Sequence, residues 1–254
     1  MKEMLTSRVE NWVVMPVLAC RHTAVEAAKS ALAQDVPTKL LVISNWATDG
    51  SREAITALQA TDKRVHMINF SGRQSLAAVW NTGLRLLFSN GAEHVCVIND
   101  DVLLRQDHYR VCRDDPHGLV TGVGVDERGW KKAKDAPLNL TFNTHPTFSA
   151  FMLKKWAWDK VGEFDENFKV AVTEDCDYHI RMHRAGIKAI CLNVPFLHYG
   201  SATSNSMTAE DRQIFMEQAD KNREYFFQKW GVRVASKEYY DQFGHGHPPD
   251  KSYE

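Results

Sequence analysis

Four apolar runs, each separated from the next by a stretch of helical periodicity, constrain the fold of this chain more than any other feature. "WVVMPVL" (12–18), "TKLLVIS" (38–44), "RVHMINF" (64–70) and "HVCVIN" (94–99) are short and rich in β-branched residues, as buried strands are. Between them lie "HTAVEAAKSALAQ" (22–34), "REAITALQA" (52–60) and "RQSLAAVWNTGLRLLFSN" (73–90). In the first of these, Ala24, Ala27, Ala28, Ala31 and Leu32 form a small apolar face, and Thr23 with Glu26 has the form of a capping box. In the third, Leu76, Val79, Trp80, Leu84 and Leu87 share a face, and Gly91 ends the helix. Strands and helices alternating in this way predict a mostly parallel sheet covered on both sides. Ligands of such sheets bind beyond the carboxyl ends of the strands.

The second half changes character. A strand and turn are expected in "HGLVTGVGVDERGW" (117–130) and a short strand in "LNLTF" (138–142). A strand, a short helix and a turn follow in "TFSAFMLKKWAWDKVGEFDENF" (147–168). "TEDCDYHIRMHRAG" (173–186) reads as a helix capped by Thr173, favoured at its start by Glu174 and Asp175, and ended by Gly186. "IKAICLNV" (187–194) is a strand and "FLHYGSAT" (196–203) a loop. A long amphipathic helix covers 208–231, with Thr208 and Asp211 at its start, and the tail "DQFGHGHPPDKSYE" is loose. His245 and His247 in that tail could bind metal, but disorder is the better reading.

With 254 residues, 44% of them apolar, the chain can bury one large core. A net charge of −1 excludes a global basic field for nucleic acid or membrane lipid. The five cysteines, Cys20, Cys96, Cys112, Cys176 and Cys191, are odd in number and never spaced as C-x-x-C, which argues against a disulfide framework and a zinc ribbon. Cys96 and Cys191 lie in apolar runs and read as core thiols. No apolar signal stretch opens the chain and no segment is long enough to span a bilayer, so a cytoplasmic location is expected.

The fourth strand raises a question of charge. It ends "VINDD", so two adjacent carboxylates follow a buried run. Such a pair is costly unless a positive partner sits against it. Asp100 and Asp101 fall on the ligand-binding edge, where they either meet a cation or simply open a solvated turn. "NWATDGS" (45–51) lies on the same edge; Asp49 and Ser51 there also suit a helix-capping turn. Glu174, Asp175 and Asp177 crowd into four residues, more acids than dipole compensation needs.

Taken in order, "VVMPVLACRH", "SNWATDGS", "AVWNTGL", "INDDVLL", "FSAFMLKKWAWDKVGEFDENF", "TEDCDYHIRMHRAG" and "LHYGSAT" resemble the family 2 glycosyltransferases over residues 12 to 203. Two motifs depart from the family pattern: the acidic motif begins with Asn99, and "SGRQS" replaces Asn-x-Gly after the third strand. The resemblance implies an α/β glycosyltransferase-A fold, a mostly parallel central sheet with a small mixed second sheet. It implies one domain over 1–231 with a nucleotide-sugar half (1–101), an acceptor half (102–203) and a C-terminal helix (204–231), followed by a partly flexible extension (232–254).

It also implies a chemistry. The donor is a nucleotide-diphosphate sugar, expected to be UDP-linked, held through Mn2+ or Mg2+. Asp101 and His198 are the implied metal ligands, and the imidazole favours Mn2+. Pro16, Val17, Leu18, Asn45, Asp49, Arg73, Asn81, Asn99 and Asp100 are the implied nucleotide and sugar contacts, with Gly83 near the base. Arg21 or His22 could lie near a diphosphate, and Asn81 could instead bond backbone. Asp175 is the implied base toward the acceptor hydroxyl, with Glu174 positioning it or the acceptor, while Asp177 is structural. A single displacement at the anomeric carbon inverts configuration.

The acceptor stays open among a glycan, a lipid-linked sugar, a protein hydroxyl and a hydroxymethylated DNA base. "GWKKAK" (129–134) and "LKKWAWDK" (153–160) interleave lysine with tryptophan as base-stacking surfaces do, but buried tryptophans and solvated lysines explain them better, and Trp156 falls at an apolar family position. Two rivals remain. A sugar-nucleotide pyrophosphorylase needs a glycine-rich phosphate loop, and "MPVLACRH" has no glycine. A non-catalytic nucleotide- or carbohydrate-binding module has no need of Glu174, Asp175 and Asp101 together.

Overall fold

The computed structural model describes residues 10–18, 21–200 and 208–243. Its first half alternates as expected: β1 (Asn11–Val17), α1 (Arg21–Leu32), β2 (Thr38–Ser44), α2 (Ser51–Thr61), β3 (Val65–Asn69), α3 (Leu76–Ser89) and β4 (His94–Ile98). β1 pairs in parallel with β2 on one side and β4 on the other, and β2 pairs in parallel with β3. The chain therefore winds outward from β1 to β3, then returns to start again at β4. That reversal opens a crevice at the carboxyl ends of β1 and β4.

The second half comprises β5 (Val102–Leu104), α4 (His108–Asp114), β6 (Leu119–Val125), α5 (Glu127–Ala133), β7 (Phe142–Asn143), β8 (Ala150–Lys154), α6 (Lys155–Val161), α7 (Glu174–Arg184), β9 (Ala189–His198), α8 (Ala209–Trp230) and α9 (Lys237–Asp241). Its strands do not form the expected second sheet. They extend the first one in the order β3-β2-β1-β4-β8-β6-β9-β5, with β7 on β9. β8 runs antiparallel to both β4 and β6, which makes this half mixed.

Alternation along β1 divides the core between the two faces. Val13, Met15 and Val17 meet the alanine face of α1, while Val14 meets α3 through Val79, Trp80 and Leu84. Cys96 and Cys191 are buried, as their apolar surroundings predict. A third cluster joins α7, α8 and α9 through Phe168, Ile180, Phe226, Tyr239 and Phe243. Asp177, fully buried, ties α7 to α8: Arg181 and Lys229 lie 2.8 and 2.7 Å from its carboxylate, and Trp230 Nε1 donates to it at 3.0 Å.

Several local expectations change. Thr23 lies inside α1, which begins two residues earlier, so it is no cap. Thr173 makes no capping hydrogen bond; it sits in the left-handed region and its hydroxyl is buried without a partner. The turn expected around 126–130 is the start of α5, because the Asp126 side chain accepts from the Gly129 N–H at 2.7 Å. Of the expected strand at 138–142 only Phe142 is in a strand, which continues to Asn143. Residues 196–198 are strand, not loop, since β9 runs on to pair with β5. Within the segment expected to be loose, the Phe243 ring stacks on His179 at 3.9 Å. His245 and His247 lie outside the described residues. Trp158 is buried, whereas Trp156 is 52% exposed, at the end of β8 opposite Asp100 and Asp101.

Gly83 and Asn81 act in packing. A Cβ at Gly83 would lie 2.7 Å from Val14 Cγ1, so the glycine lets α3 approach the sheet. Asn81 is fully buried and exchanges two hydrogen bonds with the backbone of Phe164, at 2.9 and 2.8 Å, fixing the turn that precedes α7. Gly83→Ala is expected to lower unfolding free energy by about 1–3 kcal/mol through overpacking. Denaturant melting that gives the wild-type midpoint would show that α3 has room to move.

Candidate functional site

Parallel pairing sets the ends of β1, β2 and β4 side by side, and a cavity of about 330 Å³ opens there. Pro16 and Leu18 line it from the end of β1, Asn45 from β2, and Asn99, Asp100 and Asp101 from β4. Arg73, Gln74 and Leu76 close one side at the start of α3. Val170, Ala171, His198 and Phe215 come from the second half. Asn45 is held by a reciprocal pair with the Gln74 backbone, donating to its carbonyl at 3.0 Å and accepting from its N–H at 2.8 Å.

Asp100 and Asp101 are nearly out of water, at 7% and 5% exposure. The Leu18 N–H donates to Asp100 at 3.3 Å. Burial, reinforced by the charge on Asp101, pushes the Asp100 carboxyl up to about 8. The fold brings one imidazole to this pair. Antiparallel pairing sets His198 opposite Val102, and the Tyr199 N–H donates to the Asp101 carbonyl at 3.0 Å. His198 Nε2 consequently lies 3.4 Å from Asp101 Oδ1.

This donor set fits a divalent cation completed by a ligand. One buried carboxylate and one imidazole converge on a cavity, and a second carboxylate beside them has no ion-pair partner among the described residues. Among the described residues no cluster of three or more His, Cys, Asp or Glu side chains could hold a metal alone. A cation here would take its remaining positions from phosphate oxygens and water, as Mg2+ and Mn2+ sites with few protein ligands do.

Not every expected contact reaches the cavity. Asn81 does not line it and serves the packing described above. Val17 is fully buried and does not line it. Nor does Asp49, whose Oδ1 accepts from Ser51 N–H at 3.0 Å and from the Ser51 hydroxyl at 2.6 Å, so it fixes the start of α2. Gln74, Leu76, Val170, Ala171 and Phe215 are lining residues that sequence reasoning missed. Phe215 had no signal beyond helical spacing, and Gln74 only its place beside Arg73.

Glu174 and Asp175 open α7 just past Val170 and Ala171, although neither carboxyl lines the cavity itself. Glu174 is 4% exposed with Oε2 unpartnered, while Asp175 is half-buried. Burial, and then the Asp175 charge, pushes Glu174 up to about 8; burial likewise raises Asp175. The segment before them is strained. Val170, Val172 and Thr173 have φ of 62°, 89° and 74°. β-Branched residues avoid this region, at about 1–3 kcal/mol each.

A second cleft abuts the first, with His198 shared between their walls. Tyr199 lies beside that histidine, and Arg128, Lys131 and Lys132 of α5 face them.

The sequence model of the family described as "Glycosyl transferase family 2" matches residues 12–151. Among solved structures, the chain is similar to the mannosyltransferase PcManGT from Pyrobaculum calidifontis, solved in complex with GDP-Man and Mn2+. The TM-score is 0.63 at 17% identity, covering 94% of this chain and 68% of that one. That likeness shows the fold, a glycosyltransferase-A arrangement. No curated protein sequence matches the chain. No helix among the described residues is long and apolar enough to cross a membrane.

Glu174 gives a direct test of this electrostatic picture. A carboxyl whose folded value lies above its unfolded value of about 4.5 stabilises the fold only while protonated, so stability is lost as pH rises toward about 8. Glu174→Gln cannot lose that proton. Its stability relative to wild type, from metal-free urea melts, is expected to rise between about pH 5 and about pH 8. An equal difference at both pH values would contradict the assignment.

Proposed function

The chain belongs to glycosyl transferase family 2, and from that premise we propose that it transfers a sugar, with inversion, from a nucleoside diphosphate sugar to an acceptor hydroxyl. The observation that supports this most is the buried Asp100–Asp101 pair, with His198 beside it, at the mouth of a cavity where the strand order reverses. The nucleoside is taken up between the ends of β1 and β2, where Pro16, Leu18, Asn45 and Arg73 line the cavity. Asn99 and Asp100 face the ribose and donor sugar. Asp101 and His198 would hold Mn2+ or Mg2+, whose role when bound is to neutralise the leaving diphosphate as a Lewis acid. UDP and GDP sugars are both candidate donors, since the solved relative carries GDP-Man.

Two acids at the start of α7 divide the proton work. Glu174, the more deeply buried, keeps its proton near neutral pH and lowers the charge beside Asp175. Asp175 is the acid that a substrate can reach, and its raised affinity for protons suits it to accept one from the acceptor hydroxyl. The acceptor, whether glycan, protein or hydroxymethylated DNA base, enters by the cleft that shares His198. The half up to residue 101 then serves the donor and the half from 102 to 203 the acceptor. Orientation and fixed charge supply most of the rate.

A hydrolysis screen of UDP and GDP sugars with Mn2+ tests the activity. Slow release of free sugar and nucleoside diphosphate is expected. Dependence on added pyrophosphate, with formation of a nucleoside triphosphate, would point to a pyrophosphorylase instead. Asp101→Ala is expected to abolish Mn2+-dependent binding of nucleoside diphosphate in calorimetry; unchanged affinity would refute the metal assignment. Asp175→Asn is expected to keep that binding and lose at least about 100-fold in turnover, and near-normal turnover would remove Asp175 as the base.

A further inference from the structure

The segment that carries Val170 and Ala171 into the cavity wall and leads into Glu174 and Asp175 is the most strained in the described chain, with three non-glycine residues of positive φ within four positions. A connection that only joined Phe168 to α7 could relax this strain. One side chain from a distant helix opposes relaxation. Asn222 of α8 is 1% exposed, and its Nδ2 donates to the carbonyls of Lys169 at 2.8 Å, Ala171 at 2.8 Å and Val172 at 3.2 Å. Its Oδ1 accepts from the Lys169 N–H at 3.1 Å, and from Gln218 Nε2 at 3.0 Å. This fixes the amide's orientation: the nitrogen faces three carbonyls and the oxygen faces two donors.

We propose that Asn222 is a positioning residue, which holds segment 169–172 in its strained form and thereby sets Glu174 and Asp175 relative to the donor cavity. The inference rests on the reading of Asp175 as the base. The link to the acids runs through the chain itself, because Val172 and Thr173 lead straight into Glu174 and Asp175 at the start of α7. The link to the cavity is direct, because Val170 and Ala171 line it. A second tether, from the Leu76 N–H to the Val170 carbonyl at 2.7 Å, joins the segment to the start of α3. Asparagine suits the task because a single planar group offers both donors and an acceptor. Aspartate in its place would lose the bonds to the carbonyls, and alanine would lose them all.

The test compares wild type, Asn222→Ala, Asn222→Ala with Val172→Gly, and Asp175→Asn. Each is assayed for Mn2+-dependent hydrolysis of whichever UDP or GDP sugar the wild type cleaves, and for amide hydrogen exchange by mass spectrometry. Asn222→Ala is expected to lower kcat about 10- to 100-fold and to speed exchange across 169–176. Val172→Gly is expected to restore part of that kcat, since glycine holds a positive φ without help. A lower melting temperature with unchanged kcat and unchanged exchange would make Asn222 merely structural and overturn the proposal; so would the absence of any rescue. If Asn222→Ala yields no folded protein, Gln218→Ala, which removes one bond to the Asn222 amide, should show roughly a threefold loss of kcat, and a wild-type kcat there would count equally against it. Should Asp175→Asn remain active, the reading of the base fails, and exchange across 169–176 alone then decides whether Asn222 holds the segment.

Discussion

Two neighbouring carboxylates held almost out of water at the end of β4 set the terms for the elements around them. An isolated buried pair of like charges is unfavourable, and here it keeps one proton well above the ordinary carboxylate range. The fold surrounds this local cost with the means to offset it. A crevice at the strand-order reversal admits a ligand, β9 delivers an imidazole to one carboxylate, and the Leu18 N–H meets the other. The order of strands in the sheet is thus tied to the chemistry: β1 must lie between β2 and β4 for the crevice to exist, and β9 must reach β5 for His198 to arrive.

The second half of the chain presents a different arrangement of strain and support. Glu174 and Asp175 stand at the head of α7, behind a segment whose backbone no β-branched residue adopts freely. What keeps it there comes from α8, through Asn222, and the same helix reaches α7 through Lys229 and Trp230 on the buried Asp177. Tyr239 and Phe243 then close the far side of α7. The helix expected only as the C-terminal end of the domain is therefore part of the scaffold for the acids, and through Phe215 part of the cavity wall.

What was legible in the sequence follows from where the signal is local. The boundaries of β2 matched the apolar run "TKLLVIS" because continuous burial leaves no other reading. The acidic pair and Glu174–Asp175 were visible because adjacent charges in apolar surroundings are rare. Roles set by distant partners were not. Asn81 looks like a ligand contact until Phe164, 83 residues on, supplies its partners. Asp49 turns inward to Ser51, and the loop expected at 196–198 becomes strand only because β5 offers an edge. Thr173 has the residue type of a cap but not the backbone, since its left-handed φ turns it away from that task. Asn222 carries no motif and is visible only through the carbonyls it gathers.

The account depends on a cation joining the first half to the second. Anomalous diffraction at the manganese edge, from crystals grown with Mn2+ and a nucleoside diphosphate, measures this most directly. A peak within coordinating distance of both the Asp101 carboxylate and His198 Nε2, with phosphate oxygens on its open side, is the predicted result. Nucleotide bound in the cavity with no peak at Asp101, or manganese bound elsewhere, would contradict it.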